Sequence, residues 1–165
     1  MMRVLGIDPG TATTGFGLVF ESEDGSLRAN TYGVISTPAN MEMPARLKSL
    51  YQQIEQLILL HRPDQGAVEK LFFQRNVSTA ISVGQARGVV LLAFANHNIP
   101  VAEYTPLEIK QASTGYGKAD KKQVQSMIKS LLQLEVIPQP DDAADALAIA
   151  FCHLNSHRLK DLGVS

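Results

Sequence analysis

The chain opens with Val4-Leu5-Gly6-Ile7-Asp8-Pro9-Gly10, in which a short apolar run leads into an acid and a turn. Such a run, closed by Pro-Gly, is typical of a buried strand, so a first strand is predicted over Arg3–Asp8. Asp8 would then lie at the edge of the core. A carboxylate in that position is costly unless it is paired or binds a cation.

Three further acids stand at similar points, where a strand ends or a helix begins. Glu69 follows Ala67-Val68, while Asp142 and Asp145 open an apolar helix and share one of its faces. Taken singly, each has an ordinary explanation: a turn residue for Asp8, a solvent-facing acid for Glu69 and helix capping for the pair. Taken together, they suggest a Mg²⁺ or Mn²⁺ site, because hard divalent ions prefer oxygen ligands.

Length and composition indicate a packed protein with one core. The chain has 165 residues, of which 45% are hydrophobic and 19% charged. The single Cys152 fits a reducing cytosol, and its apolar neighbours indicate a buried structural thiol. We expect a cytoplasmic protein without a secretory leader, and the apolar stretch at 89–95 is far shorter than the roughly 20 residues of a membrane span. The net charge of −1 gives no independent support for a nucleic-acid partner.

The order of elements predicts an α/β fold with a mixed five-stranded sheet flanked by helices. Short connections make the first three strands antiparallel, and helical crossovers make the later strands parallel. Strands are predicted at residues 3–8, 15–20, 32–36, 66–71 and 101–104, and helices at residues 44–61, 77–96, 106–112, from 121 onward, and 142–155. Residues 1–156 are expected to form a single domain, and residues 157–165 a frayed polar tail.

The predicted helix at Val77–Asn96 is apolar almost all around. One sheet can cover only one stripe of a helix, so a second packing partner is expected. Gly84 and Gly88 would allow that partner to approach closely. An isologous homodimer fits this pattern, with another helix of the same chain as the alternative.

Several motifs resemble the RuvC family of Holliday-junction resolvases, in the family's order and spacing over about residues 1–155. They are Gly6-Ile7-Asp8-Pro9-Gly10 with Gly15-Phe16-Gly17, Val68-Glu69-Lys70-Leu71-Phe72, Gly84-Gln85-Ala86-Arg87-Gly88-Val89 and Asp142-Ala143-Ala144-Asp145-Ala146-Leu147-Ala148. The resemblance implies a ribonuclease H-like fold, in agreement with the element order. It also implies a structure-selective endonuclease that resolves four-way DNA junctions in recombination and repair, leaving 5′-phosphate and 3′-hydroxyl ends.

The resemblance further implies a catalytic site holding two Mg²⁺ or Mn²⁺ ions, formed by Asp8, Glu69, Asp142 and Asp145. Two ions would activate a water and stabilise the leaving oxygen of the phosphodiester. The chain departs from the family pattern at Asp141, an added acid, and at Lys70, where relatives often carry an uncharged polar residue. The spacing to Asp145 selects Asp142 rather than Asp141 as the inner acid.

DNA contacts are also implied by position. Phe72 matches the family's aromatic residue that stacks on unpaired bases near the crossover, with Phe73 as its buried neighbour. Lys110 and Lys121 match basic residues near the active site. Three further cations are close in sequence and could hold phosphates: Lys118, Lys122 and Arg75. The alternative for the rings is a place in the core, and for the cations a solvated surface. Family analogy also suggests the branch-migration proteins RuvA and RuvB as partners.

Three other functions remain open at this point. The segment from Gly6 to Thr11 also resembles the first phosphate loop of actin-like ATPases, although those proteins need two such domains. A ribonuclease H-like nuclease acting on RNA or other DNA is a second possibility, and a non-catalytic DNA-binding module is a third. His153 and His157 have a spacing that can bind zinc, but without further ligands we expect surface or interface histidines.

Overall fold

The computed structural model describes residues 1–70 and 77–164. Its sheet has five strands in the order β3-β2-β1-β4-β5. They are β1 (Arg3–Asp8), β2 (Thr13–Glu21), β3 (Leu27–Ser36), β4 (Gln65–Glu69) and β5 (Val101–Tyr104). The first three pair antiparallel, while β4 pairs parallel with both β1 and β5. The predicted mixed five-stranded α/β sheet is therefore confirmed.

In the described part of the chain, five helices cover the two faces of the sheet. They are α1 (Met43–His61), α2 (Val77–Asn96), α3 (Pro106–Thr114), α4 (Lys121–Leu131) and α5 (Asp141–Asp161). Consecutive side chains of a strand point to opposite faces. Accordingly Leu5 packs into a core with α1 and α2, whereas its neighbour Val4 packs into a core with α3, α4 and α5. The strand ends are thus enclosed between two helical layers.

Small residues bring helix α5 unusually close to the sheet. A methyl group added to Gly6 would collide with the carbonyl oxygen of Ala146, and one added to Gly15 would collide with that of Asp142. Gly17 is likewise closed off by Leu147. The glycines of β1 and β2 therefore place the first turns of α5 directly against the strands, and with them the acids of that helix.

The last helix is longer than the sequence predicted. It continues to Asp161, so residues 157–161 of the expected frayed tail are helical. Arg158 and Lys160 lie in the last turn, where cations interact favourably with the helix dipole. Arg158 also reaches Glu21 of β2 at 3.6 Å, which ties the helix end to the sheet.

The buried residues of α5 include two with titratable side chains, His153 and Cys152. His153 is only 7% exposed, and its Nδ1 lies 2.7 Å from the hydroxyl of Tyr104. Its Nε2 contacts the side-chain oxygen of Gln65. The expectation of a surface or interface histidine is thus wrong for this residue, because it lies on the inner face of the helix. Cys152 is buried as predicted, and burial raises the pKa of its thiol to about 12.

Helix α2 is covered on one side by α1, so another helix of the same chain provides part of its packing. Its other side stays open: Val77 is 77% exposed, Ile81 56% and Leu92 54%. A methyl group on Gly88 would meet no atom of the described residues within 4 Å. Among residues 1–70 and 77–164, no helix is long and apolar enough to span a membrane.

Candidate active site

Asp8 and Glu69 are brought together by the parallel pairing of their strands. Asp8 is the last residue of β1 and Glu69 the last of β4, and Ile7 pairs with Val68 one position earlier. The carboxyl ends of parallel strands meet at the same edge of a sheet, so both acids lie at that edge. Asp142 and Asp145 reach the same place from the first turns of α5.

Three of the four predicted acids converge tightly. One carboxylate oxygen from each of Asp8, Asp142 and Asp145 can be chosen so that all three lie within 4.8 Å of one another. Glu69 is not within this group of three. It nevertheless lines a cleft of about 310 Å³ together with Asp145, and a second cleft of about 250 Å³ together with Asp8.

The electrostatics of the group reflect crowded acids at the edge of a core. Burial, then the charges of Asp145, Asp142 and Glu69, raise the pKa of Asp8 to about 8. Burial also raises the pKa of Glu69, with Asp145 adding to the effect and Lys110 opposing it. For Asp145 burial again raises the pKa, and Lys121 opposes it. Ionised acids in such a group need a counter-charge.

The donor set fits a hard divalent cation. All four predicted ligands offer carboxylate oxygens, the ligands that Mg²⁺ and Mn²⁺ prefer. The side chains of Asp8, Asp142 and Asp145 are all partly buried rather than free in solvent. A cation bound among them would supply the counter-charge that the raised pKa of Asp8 indicates is lacking.

The predicted lysines fall into two groups. Lys110 and Lys121 line the cleft of about 310 Å³ beside Glu69 and Asp145. The ammonium of Lys121 lies 3.5 Å from Asp145 and 3.3 Å from Asp141. Lys118 and Lys122 are exposed on the α3–α4 side, where Lys122 lines a separate groove of about 460 Å³.

The predictions for Phe72, Phe73 and Arg75 fall on residues 71–76, which lie outside the part of the chain that the structure describes. Their placement in the family motif therefore remains a sequence prediction. The stacking role of Phe72 and the phosphate-binding role of Arg75 likewise remain predictions from the sequence.

Two polar contacts near the acids were missed from the sequence. Arg87 of α2 lines the second cleft with Asp8 and Glu69, and its guanidinium lies 2.8 Å from Glu103 of β5. Asp141 contacts Lys121 and also accepts a hydrogen bond from the side chain of Gln125 at 3.1 Å. The sequence does mark Arg87, because it is a cation within a largely apolar helix. It does not identify the partner, since Glu103 lies in a different element.

A mixed five-stranded sheet with acids gathered at the carboxyl ends of its parallel strands and at a helix start defines the ribonuclease H-like class of fold. The model of the family "Crossover junction endodeoxyribonuclease RuvC" matches residues 4–153. The chain therefore belongs to the RuvC family of crossover junction endodeoxyribonucleases.

Relatives with that description are close in sequence and in structure. The protein of Syntrophomonas wolfei is 58% identical over 158 residues, which are 96% of this chain and 91% of that protein. The Thermus thermophilus RuvC structure is 35% identical with a TM-score of 0.89, covering 96% of this chain and 97% of that one. A second structure, described as T. thermophilus RuvC in complex with Holliday junction substrate, is 35% identical with a TM-score of 0.91 and 97% coverage of both chains.

Proposed function

We propose that this protein resolves four-way DNA junctions by metal-dependent hydrolysis of phosphodiester bonds, in recombination and DNA repair. Family membership supports the nuclease activity, and the T. thermophilus relative solved with a Holliday junction supports the substrate. The observation that carries the proposal within this chain is the convergence of Asp8, Asp142 and Asp145 within 4.8 Å at the sheet edge. The products expected are 5′-phosphate and 3′-hydroxyl ends.

Asp8, Glu69, Asp142 and Asp145 would together hold two Mg²⁺ or Mn²⁺ ions. When bound, such a pair of ions supplies an activated water and charge stabilisation for the leaving oxygen. The chain's own part is to fix the four carboxylates on rigid elements, at the ends of β1 and β4 and the start of α5. Partial burial of Asp8, Glu69 and Asp145 limits the solvent around them, which strengthens their electrostatic interactions.

The lysines of the cleft are suited to hold the scissile strand. Lys110 and Lys121 line the same cleft as Glu69 and Asp145, so their ammonium groups lie where a phosphate would approach the acids. The exposed Lys118 and Lys122 would contact the backbone further along an arm of the junction. Phe72 and Arg75 complete the proposed DNA contacts through stacking and phosphate binding, on the basis of the motif alone.

Three assembly partners belong to the same proposal: a second copy of this chain, RuvA and RuvB. A homodimer through the open side of α2 would bury Val77, Ile81 and Leu92 and would present two active sites to a two-fold symmetric junction. RuvA and RuvB are proposed as functional partners from the family alone. A cytoplasmic location belongs to the same proposal, because the Syntrophomonas wolfei relative is a bacterial endodeoxyribonuclease.

The proposal is tested by comparing substrates. A mobile four-way junction, a linear duplex and an RNA–DNA hybrid of matched sequence are incubated with the protein in Mg²⁺ or Mn²⁺, and the cut strands are mapped. Paired cuts in the four-way junction, with neither the duplex nor the hybrid cleaved, support the proposal. Preferential cleavage of the hybrid would favour another ribonuclease H-like nuclease, and junction binding without any cleavage would favour a non-catalytic module.

The Asp142→Asn variant is the matched control, because it keeps the shape of the side chain and removes one proposed ligand charge. Cleavage by this variant at the wild-type rate would count against Asp142 as a ligand. The actin-like alternative is tested in the same preparation by ATP hydrolysis, which we expect to be absent. Family membership favours the nuclease over that alternative.

A further inference from the structure

Lys121 lies between two acids of different character. Its ammonium is 3.5 Å from Oδ2 of Asp145, which belongs to the converging acids, and 3.3 Å from Oδ2 of Asp141, which does not. The Asp145 side chain is 35% exposed and the Asp141 side chain 56%, so one acid is inside the cleft and the other at its outer edge. The ammonium is thus shared between the inner and the outer acid.

Asp141 is held in place by a second contact. Nε2 of Gln125 donates a hydrogen bond to Oδ1 of Asp141 at 3.1 Å, which leaves Oδ2 to face Lys121. Gln125 is a buried residue of α4, only 9% exposed, so this anchor is fixed by the helix packing. Asp141 is therefore oriented toward the ammonium rather than moving freely on the surface.

The fold also fixes the position of Lys121. It is the first residue of α4, whose start is set by a capping box between Asp120 and Gln123. A cation is disfavoured in the first turn of a helix, because the dipole is positive there. Nearby acids therefore offset the unfavourable dipole at Lys121, and among the described residues Asp141 and Asp145 are the two within ion-pair distance.

A divalent cation and the ammonium compete for Asp145. Two positive groups cannot share the same carboxylate without mutual repulsion, so metal binding there weakens the Lys121–Asp145 contact. We propose that Asp141 is a positioning residue that takes over Lys121 when Asp145 binds the metal. This exchange lowers the cost of metal binding and keeps the ammonium at the mouth of the cleft. The inference rests on the metal site of the proposed function.

The test measures Mn²⁺ binding to the protein alone, without DNA, by titration calorimetry. Wild type is compared with Asp141→Asn, Lys121→Met and the double variant. Asp141→Asn should bind Mn²⁺ about two- to fivefold more weakly, on the scale of one partly exposed ion pair. Lys121→Met should bind more tightly than wild type, because it removes the competing cation. In the Lys121→Met background, Asp141→Asn should change the affinity less than about 1.5-fold, since no ammonium remains to be held.

The double variant separates exchange from a simple charge effect. If Asp141→Asn weakens binding equally in both backgrounds, Asp141 acts only by its charge and the inference is overturned. It is also overturned if Lys121→Met weakens Mn²⁺ binding. Glu135→Gln, which neutralises an exposed acid with no ion pair among the described residues, should match wild type. Circular dichroism establishes that every variant is folded.

Failure of the underlying proposal gives a different result. If wild type binds no Mn²⁺, or if Asp142→Asn binds it as tightly as wild type, the metal site itself is wrong. If wild type binds and Asp142→Asn does not, but Asp141→Asn binds like wild type, the site stands and only the exchange is rejected.

Discussion

Gly15 of β2 lies against the backbone of Asp142, with no room for even a methyl group between the strand and the carbonyl oxygen of that residue. Gly15 is also paired across the sheet with Asp8. Gly15 thus contacts two of the converging acids, Asp8 through strand pairing and Asp142 through the start of helix α5. The separation of Asp8 and Asp142 is set by how closely α5 can approach at this point.

Gly15→Ala should therefore push the start of α5 away from the sheet. Overpacking of this kind costs about 1–3 kcal/mol, which would appear as a lower midpoint in urea unfolding. Mn²⁺ affinity, measured by calorimetry on the folded fraction, should also fall because the ligands separate. Wild-type stability and affinity together would show that the helix adjusts without moving its acids.

The four proposed ligands are tested by charge-removing substitutions of equal shape. Asp8→Asn, Glu69→Gln, Asp142→Asn and Asp145→Asn should each abolish junction cleavage, because each removes a negative charge from the cation site. Junction binding in a gel-shift assay should survive, since the lysines and the remaining surface are unchanged. If a variant cleaves at the wild-type rate, the substituted residue is not a ligand. Glu69 is tested most severely, because it lies outside the group of acids within 4.8 Å of one another.

The raised pKa of Asp8 predicts how stability depends on pH in metal-free protein. Burial, with the charges of Asp145, Asp142 and Glu69, raises that pKa from 3.8 to about 8. The folded protein therefore keeps a proton that the unfolded chain has already released, and stability falls as the pH rises toward and through 8. Between pH 7 and pH 9 the free energy of unfolding should drop by about 1 kcal/mol in urea melts with a chelator present.

Two controls isolate this effect. Asp8→Asn should be flatter across the same pH range, because it has no Asp8 proton to lose. The slope that remains near pH 9 includes Cys152, whose buried thiol stays protonated while the thiol of the unfolded chain ionises. Burial lowers the pKa of His153 from 6.5, so its titration lies below the window and does not contribute. Saturating Mn²⁺ should restore stability at pH 9, since the metal binds the ionised group. A wild-type stability that rises from pH 7 to pH 9 without metal would contradict the assignment.

Local signals in the sequence predicted the elements well where one or two neighbouring residues decide the outcome. The run Thr105-Pro106-Leu107-Glu108 has the residue pattern of a capping box, and the structure has both of its hydrogen bonds, at 2.7 and 3.1 Å. In the described residues, helix α2 covers the predicted range Val77–Asn96. The choice of Asp142 over Asp141 by spacing agrees with the acids that converge in the fold.

Contacts between distant elements were not predictable in the same way. Lys121 and Asp141 pair across two helices, and Arg87 and Glu103 pair between a helix and a strand. Their side chains carry no sequence pattern that names the partner, since the pairing depends on how the helices pack. His153 was misjudged for the same reason, because its burial follows from the rotation of α5 on the sheet.

The open side of α2 gives a test of the proposed dimer. Ile81 is 56% exposed in the single chain, so Ile81→Asp should cost little in the stability of the monomer. In a dimer through this side, the same substitution would bury an unpaired charge against the partner. We expect wild type to be dimeric at micromolar concentration in light scattering, and Ile81→Asp to be largely monomeric with unchanged circular dichroism.

Leu60 on α1 is the matched control, because it is an exposed aliphatic side chain (75%) that does not lie on the open side of α2. Leu60→Asp should remain dimeric, because it lies near the end of α1 rather than on α2. If Leu60→Asp dissociates the protein and Ile81→Asp does not, the interface is on the α1 side. A monomeric wild type would reject the dimer altogether, and the exposed stripe of Val77, Ile81 and Leu92 would then need another partner to cover it.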